Sequence, residues 1–386
     1  MSKKRILYIH HNNYDLGGSD YCLFKMVREI KRTKTFEPYI LLGLNTDIVK
    51  LYEDAGIPVI IKPIYRIQKT KNLFGLFTYV FKIPLNVIRI IATIRKYNID
   101  LVHTNDLLDF SGNLAAKIMQ LPSCQHVRMI VTKPKILRSF LSKICIFSSK
   151  KLLCVSEAVR KYMFSNCHKK CEVLFDWLDQ DAVGHNQKLS SLRNELMLAK
   201  NTKIIGCVGR LEEWKGQHIF LKAVDRVAEH LPNTHFVLVG GEVKGKEAYV
   251  ERLQQIHESL TYREKVSFLG HRKDVSSIMR QLDVMVHASI SPDPLPGVVM
   301  EAMNNETVVV GANDGGVPEE LLDGINGYLY EPGNHEDMAE KILKVLNGGS
   351  QSDKMAQHAQ QYVRKKFNKK VIVEQLQRIY ISLLEN

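Results

Sequence analysis

Short β-branched runs alternate with helical patterns along almost the whole chain, and this alternation restricts the fold more than any other feature. In the first half, residues 5–10, 38–43, 58–61, 100–104, 125–131 and 151–155 read as buried strands. Helical patterns occupy 21–31, 72–97 and 112–120 between them. The second half repeats the scheme, with strands at 203–208, 235–240, 265–269, 283–288, 307–312 and 327–330. Its helices are predicted at 217–230, 247–260, 275–281, from 298 onward, and at 336–346, 355–366 and 370–384. Strands that alternate with helices form a parallel sheet covered on both faces. At 386 residues the chain exceeds one ordinary domain, so two are expected. The pattern breaks near residues 180–187. We therefore expect an α/β chain of two doubly wound domains, 1–183 and 184–368. A last helix, 369–386, is expected to pack back toward the first domain. Such sheets bind ligands at the C-terminal ends of their strands, so two facing domains would frame a central cleft.

Charge separates the halves. Residues 1–190 hold 30 Lys/Arg against 15 Asp/Glu, and residues 191–386 hold 24 against 26. The net charge of +13 thus sits in the first half, which points to different partners for the two halves. No Asp or Glu lies between Ala55 and Ile99, where Lys62, Arg66, Lys69, Lys71, Lys82, Arg89, Arg95 and Lys96 mix with apolar residues. A second acid-free stretch runs from Phe110 to Ser156. Apolar–basic interleaving fits an anionic membrane surface. The longest apolar run, 73–94, is broken by Lys82, Pro84 and Arg89, which argues against a membrane span. With no recognisable signal peptide, the expected location is cytoplasmic, peripheral on the inner face of the cytoplasmic membrane. The seven cysteines are an odd set in mostly apolar runs and are expected to be reduced thiols. Cys167, His168 and Cys171 approach a metal spacing without a second ligand pair, so a zinc site is not expected. A nucleic-acid-binding protein is a remote alternative for a basic half, but no binding motif accompanies the charge.

Four stretches carry candidate chemistry. In residues 291–303, Asp293 opens a Pro- and Gly-rich loop and an apolar helix starts near Gly297 and Val298, with Glu301 one turn inside. A helix start offers free amides and a positive dipole end to an anion. In Gly209-Arg210-Leu211-Glu212-Glu213-Trp214-Lys215-Gly216, two cations flank a turn. An Arg fork and a Lys point charge suit a diphosphate, though the spacing is not that of a Walker loop. Gly17-Gly18 precedes the first helix and would allow a phosphate close to the backbone, but it is also an ordinary turn. At the end of the strand 100–104 stand His103, Asn105 and Asp106, and Arg128 lies on the next strand. The first three are strand-end candidates for a site, while an ion pair is the default for Arg128.

Together these motifs resemble the GT-B-fold retaining glycosyltransferases of family 4. The matching residues are Gly209-Arg210 with Lys215-Gly216, the acids Asp293 and Glu301 with seven residues between them, and Gly315-Gly316-Val317-Pro318-Glu319 followed by Asn326-Gly327. The resemblance is close over 200–345 and looser before it. It implies transfer of a sugar from a nucleotide-diphosphate sugar, UDP-sugar favoured, to a hydroxyl of a glycan or lipid-linked acceptor, in cell-surface polysaccharide, lipopolysaccharide or capsule synthesis. It implies that Arg210 and Lys215 bind the diphosphate and that Glu301 holds the ribose. Asp293 and the amides around Gly297 and Val298 would hold the sugar. Gly17 and Gly18 would close on the phosphates, and His103 would join the catalytic group. Asn105, Asp106 and Arg128 would lie on the acceptor side. No metal or other cofactor is implied, because cations and helix amides take the metal's electrostatic role. The chain departs from the family at Asp293, where Glu is usual, at Pro296, where Phe is common, and at Asn105, where many members have His. An epimerase or hydrolase of sugar nucleotides on the same fold is the alternative activity.

Overall fold

Thirteen strands in two sheets organise the computed structural model, which describes residues 3–12, 17–66, 73–105, 107–165, 167, 169–178 and 191–385. The chain divides into two compact units, residues 1–176 with 369–386 and residues 177–368. The join expected near 180–187 lies outside the described residues.

The first unit holds β1 (Lys4–His10), β2 (Phe36–Leu42), β3 (Val59–Ile61), β4 (Leu101–Thr104), β5 (Ser123–Val127), β6 (Lys151–Cys154) and β7 (Cys171–Val173). Their order is β3-β2-β1-β4-β5-β6-β7, all parallel. The order reverses between β1 and β4, so the crevice of this unit opens at their C-terminal ends. Two helices absent from the sequence reading, Lys135–Ser148 and Glu157–Phe164, fill the second half of this unit, and β7 was also unforeseen. β5 starts two residues earlier than expected and ends at Val127 rather than residue 131.

The last helix, Lys369–Glu385, belongs to this first unit. Ile372, Val373, Leu376, Ile379, Tyr380 and Leu383 are its buried residues, a helical stripe that faces one way. Tyr380 donates its hydroxyl to Tyr8 at 3.0 Å and packs edge-on against Phe36. Each fully buried side chain of this size is worth about 1.5–3 kcal/mol, so the helix is a structural part of the unit.

The second unit holds β8 (Lys203–Val208), β9 (Thr234–Val239), β10 (Val266–Phe268), β11 (Val284–His287), β12 (Val308–Ala312) and β13 (Tyr328–Tyr330). The order is β10-β9-β8-β11-β12-β13, again all parallel. Near-continuous Val and Ile runs follow from burial on both faces. The reversal falls between β8 and β11, whose C-terminal loops carry the two most specific motifs in the sequence.

Candidate functional site

β8 and β11 lie side by side, with Val286 opposite Cys207. That adjacency brings together loops 78 positions apart in sequence. The loop after β8 turns through the short 3-10 helix Glu213–Lys215 and ends at Gly216, whose φ is +70°. A Cβ at Gly216 would stand 1.9 Å from the carbonyl oxygen of Ala288, so only glycine allows the loops to touch here. The Ile290 amide then donates to the Trp214 carbonyl at 2.9 Å.

Across this contact Lys215 Nζ reaches Asp293 Oδ2 at 2.6 Å. Asp293 is 6% exposed. Burial opposes its ionisation, but the Lys215 charge and a hydrogen bond from His287 outweigh burial and hold the carboxyl well below its usual range. His287 Nε2 stands 3.4 Å from the same oxygen and 3.1 Å from Ser289 Oγ. Burial lowers the His287 pKa against the pull of Asp293, so the imidazole is neutral at physiological pH. An ammonium has three donors and Asp293 takes one. Lys215 also lies 4.1 Å above the centre of the Trp214 ring. Arg210, on the same loop as Lys215, is more than half exposed and pairs with Glu212 at 2.9 Å.

From Asp293 the chain runs through Pro294 to Pro296 into the helix Gly297–Asn304. The N-cap is Pro296, which has no side-chain acceptor for the first-turn amides. Gly297 is exposed and Val298 half-buried, so the start of the helix faces outward. Glu301 is exposed on the same helix. The loop is braced from β12. Gly316 N–H donates to the Asp293 carbonyl at 2.7 Å. Cβ atoms at Gly315 and Gly316 would collide with the backbones of Asp293 and Pro294 at 2.3 and 2.2 Å. This explains the paired glycines as a close backbone approach. The unit therefore gathers Gly209, Arg210, Lys215, Asp293, Gly297, Val298 and Glu301 on two neighbouring loops and one helix start.

Sequence reasoning missed three members of this neighbourhood. His287 and Ser289 flank the end of β11, and Glu320 ends the short helix Val317–Glu320. Glu320 is fully buried, and neither side-chain oxygen finds a hydrogen-bond partner among the described residues. Burial, then the charges of Asp293 and Glu319, push its pKa well above the usual value. The folded protein thus holds a proton that the unfolded chain gives up above the ordinary Glu pKa, so Glu320 costs stability as pH rises past that value. Glu320→Met should raise stability by about 1–3 kcal/mol at pH 7.5. The gain should shrink toward pH 4, as read by denaturant melts at both pH values.

The strand-end candidates of the first unit form a different kind of structure. His103 is fully buried. Its Nδ1 is 2.7 Å from the Tyr380 hydroxyl, and its ring stacks at a tilt on Tyr8. Burial lowers its pKa to about 3. The imidazole is buried and neutral in this structure, and its Nε2 has no hydrogen-bond partner among the described residues. Asn105 is buried as well. Its side chain meets His10 Nδ1 at 3.2 Å and accepts from Arg128 Nε at 2.8 Å. Arg128 also binds Asp176 through Nη1 and approaches His126 Nδ1 at 3.5 Å. Arg128 is thus the buried ion pair of its default reading, with a partner 48 residues away. Asp106 lies outside the described residues.

Gly17 caps the helix Gly18–Arg32, and its N–H donates to Asp20 Oδ2 at 2.8 Å. Asp20 Oδ1 in turn meets His10 Nε2 at 2.8 Å. Its carboxyl is held below the usual range because, against burial, it accepts from His10 and from the backbone. The Gly17 amide is therefore committed to a capping interaction, which does not favour the expected phosphate contact. A Cβ at Gly18 would meet nothing within 4 Å, so close approach gives no reason for that glycine. The signal for Asp20 was available, since an acid at the third helical position is a capping residue.

Among the described residues no three His, Cys, Asp or Glu side chains are grouped to hold a metal ion. Also among the described residues, no helix is long and apolar enough to cross a membrane.

Comparison with known proteins fits this arrangement. Residues 190–364 match the family model of glycosyl transferases group 1, within the bounds of the second unit. Spore coat protein SA of Bacillus subtilis is 26% identical over 62% of this chain and 66% of its own length. The capsular polysaccharide biosynthesis glycosyltransferase CapM of Staphylococcus aureus is 24% identical over 64% of this chain and 65% of its own. The chain thus spans about two thirds of the length of these curated relatives. Among solved structures, Anabaena Alr3699/HepE in complex with UDP superposes with a TM-score of 0.82 at 24% identity, over 98% of this chain and 100% of that one. The architecture of two doubly wound, Rossmann-like parallel-sheet domains is shared with GT-B glycosyltransferases.

Proposed function

We propose that the chain is a retaining glycosyltransferase of family 4 that moves a sugar from a nucleotide-diphosphate sugar to an acceptor hydroxyl without a metal. The observation that carries this reading is the Lys215–Asp293 pair, set where the β8 and β11 loops meet and next to an outward-facing helix start. Arg210 and Lys215 supply the positive charge that a departing diphosphate needs. Preorganised charge of this kind is worth most where charge develops in the transition state. Asp293, Gly297 and Val298 take the sugar side, and Glu301 the ribose. A UDP-sugar is favoured as donor, and the Alr3699/HepE structures with UDP and with UDP-glucose support that choice by analogy. In retaining transfer the leaving phosphate accepts the proton of the attacking hydroxyl, so the enzyme needs no carboxylate pair of the glycosidase type.

A panel of UDP-sugars, assayed with lipid-linked and glycan acceptors, tests the reading through the anomeric configuration of the product. An inverted product defeats the retaining mechanism. Free sugar or an epimer formed without acceptor favours the hydrolase or epimerase. We expect turnover to be unchanged in excess chelator. Loss of activity restored by a divalent ion would falsify the metal-free part.

The acceptor is proposed to be a lipid-linked glycan met at an anionic membrane surface, as in cell-surface polysaccharide synthesis. On the helix Lys135–Ser148, Leu141, Ser142, Cys145 and Ser148 face inward. Ile136, Phe140 and Phe147 share the opposite, exposed face, with Ile136 85% exposed. Phe81, Leu85 and Ile88 form a similar exposed stripe on the helix Leu73–Tyr97. Lys82, Lys135 and Lys143 stand exposed on the same two helices. Apolar side chains ringed by lysine match the interface of an anionic bilayer. The paired variant Phe140→Ser with Phe147→Ser should lower co-sedimentation with phosphatidylglycerol vesicles about tenfold, while uncharged vesicles bind neither protein.

A further inference from the structure

Three of the seven cysteines converge at one place in the first unit. Cys154 ends β6 and Cys171 begins β7, the neighbouring parallel strand. Leu152 pairs with Cys171 and Cys154 with Val173. The two cysteines therefore lie two positions apart in register on one face of the sheet. Cys167, just beyond the helix Glu157–Phe164, completes the group. Its backbone N–H donates to the Phe164 carbonyl at 2.9 Å, which turns the chain back toward β7. Cys154 and Cys167 both lie close enough to Cys171 for the three thiols to act on one another's ionisation. Cys154 is fully buried, while Cys167 and Cys171 are partly exposed.

The environment separates the roles of the three sulfurs. The Cys154 thiol, opposed by burial but aided by Cys167, Arg160 and Lys151, lowers the Cys171 pKa. Cys171, and then burial, raise that of Cys154, which stays protonated as a donor. Burial and the Cys171 charge likewise keep Cys167 a thiol. A thiolate held among donors and cations is the reactive form of cysteine.

Access comes from a surface recess of about 440 Å³ lined by Cys167. Lys135, Arg138 and Lys143 line the same recess, with no acidic side chain among its lining residues. Anionic reagents are thus drawn to the edge of the thiol group.

We propose that Cys171 and Cys167 form a thiol–disulfide exchange site for anionic low-molecular-weight disulfides, with Cys154 as a positioning residue. The Cys171 thiolate attacks one sulfur of the disulfide R–S–S–R and expels RS⁻, leaving the mixed disulfide Cys171–S–S–R. The Cys167 sulfur, losing its proton to solvent, attacks Cys171 Sγ and expels the second RS⁻. The protein dithiol is oxidised by two electrons, and one R–S–S–R is reduced to two thiols. The three cysteines belong to none of the donor-site residues, while Lys135 and Lys143 of the recess also lie on the face proposed to meet the membrane.

The test uses the full-length reduced protein. Oxidised glutathione, which is anionic, and cystamine, which is cationic, are applied at equal concentration, and the products are mapped by alkylation and peptide mass spectrometry. The expected result is one Cys167–Cys171 disulfide, formed about tenfold faster with oxidised glutathione. A bond between other cysteines, a stable mixed disulfide at Cys22, or no bond would overturn the exchange site. Equal or faster reaction with cystamine would overturn the recess as the entry route. Iodoacetamide should label Cys171 first in the unmodified protein. Cys154→Val should slow that labelling about tenfold, and Cys154→Ser should restore it, because a hydroxyl still donates. An unchanged rate in Cys154→Val would remove Cys154 from the proposal.

Discussion

Lys215→Ala should lower kcat/KM by about 10²–10³-fold, the cost of removing one preorganised charge from a developing anion. Most of the loss should appear in kcat, because charge on the diphosphate grows as the glycosidic bond breaks. The substitution also strips Asp293 of its countercharge while leaving it 6% exposed. In the wild type, the depressed pKa of Asp293 contributes stability that is present above the ordinary Asp value. That contribution fades only as pH falls through the lower folded value. Removing Lys215 shrinks this contribution, so the variant should melt lower at neutral pH and lose less on acidification. Lys215→Arg keeps the charge but replaces a point donor by a wider planar fork, and should recover part of the rate. Circular dichroism should report a folded variant throughout. Full activity in Lys215→Ala would sink the assignment of the diphosphate site.

Arg128→Met should cost about 3–5 kcal/mol of stability, the usual penalty when one partner of a buried ion pair is removed. Arg128 is the hub of a buried group. Its Nε serves Asn105, one Nη serves Asp176 and the other approaches His126. Met preserves much of the apolar stem and isolates the electrostatic loss. The double variant Arg128→Met with Asp176→Leu should recover more than half of the loss, since the stranded carboxylate is gone too. Denaturant melts of the two variants decide the point. If Arg128→Met melts like the wild type, the network is not structural and the acceptor-side role regains its place.

The strand–helix alternation made both sheets legible, and the second sheet most completely. Its central strands are buried, Val-rich runs such as Val284–His287 and Val308–Ala312, and its helices carry clear periodicity. The first unit was harder for a physical reason. On Lys135–Ser148 the outward face carries Ile136, Phe140 and Phe147, so apolar residues occur on both sides and the 3.6-residue period blurs. β7 has three residues, none of them fully buried, which leaves no run to detect. Within the candidate site, Arg210, Lys215 and Asp293 were visible as motifs. Their geometry was not, because Lys215 and Asp293 meet only through the pairing of β8 with β11. Asp176, Tyr380 and Glu320 were missed for the same reason, as each acquires its meaning from a neighbour far away in sequence. The burial of His103 was not legible either, because the residue that closes over it lies 277 positions later.

That last distance bears on how the molecule is made. The first unit is discontinuous, and its core stays open at Tyr8, Phe36 and His103 until Tyr380 arrives. The second unit is one unbroken segment, 177–368. During synthesis it can close on its own while the earlier-made half still waits for its final helix. The N-terminal portion therefore finishes folding last, which reverses the usual vectorial order. A chain cut short between residues 369 and 385 would carry one finished unit and one still open to chaperones and proteases.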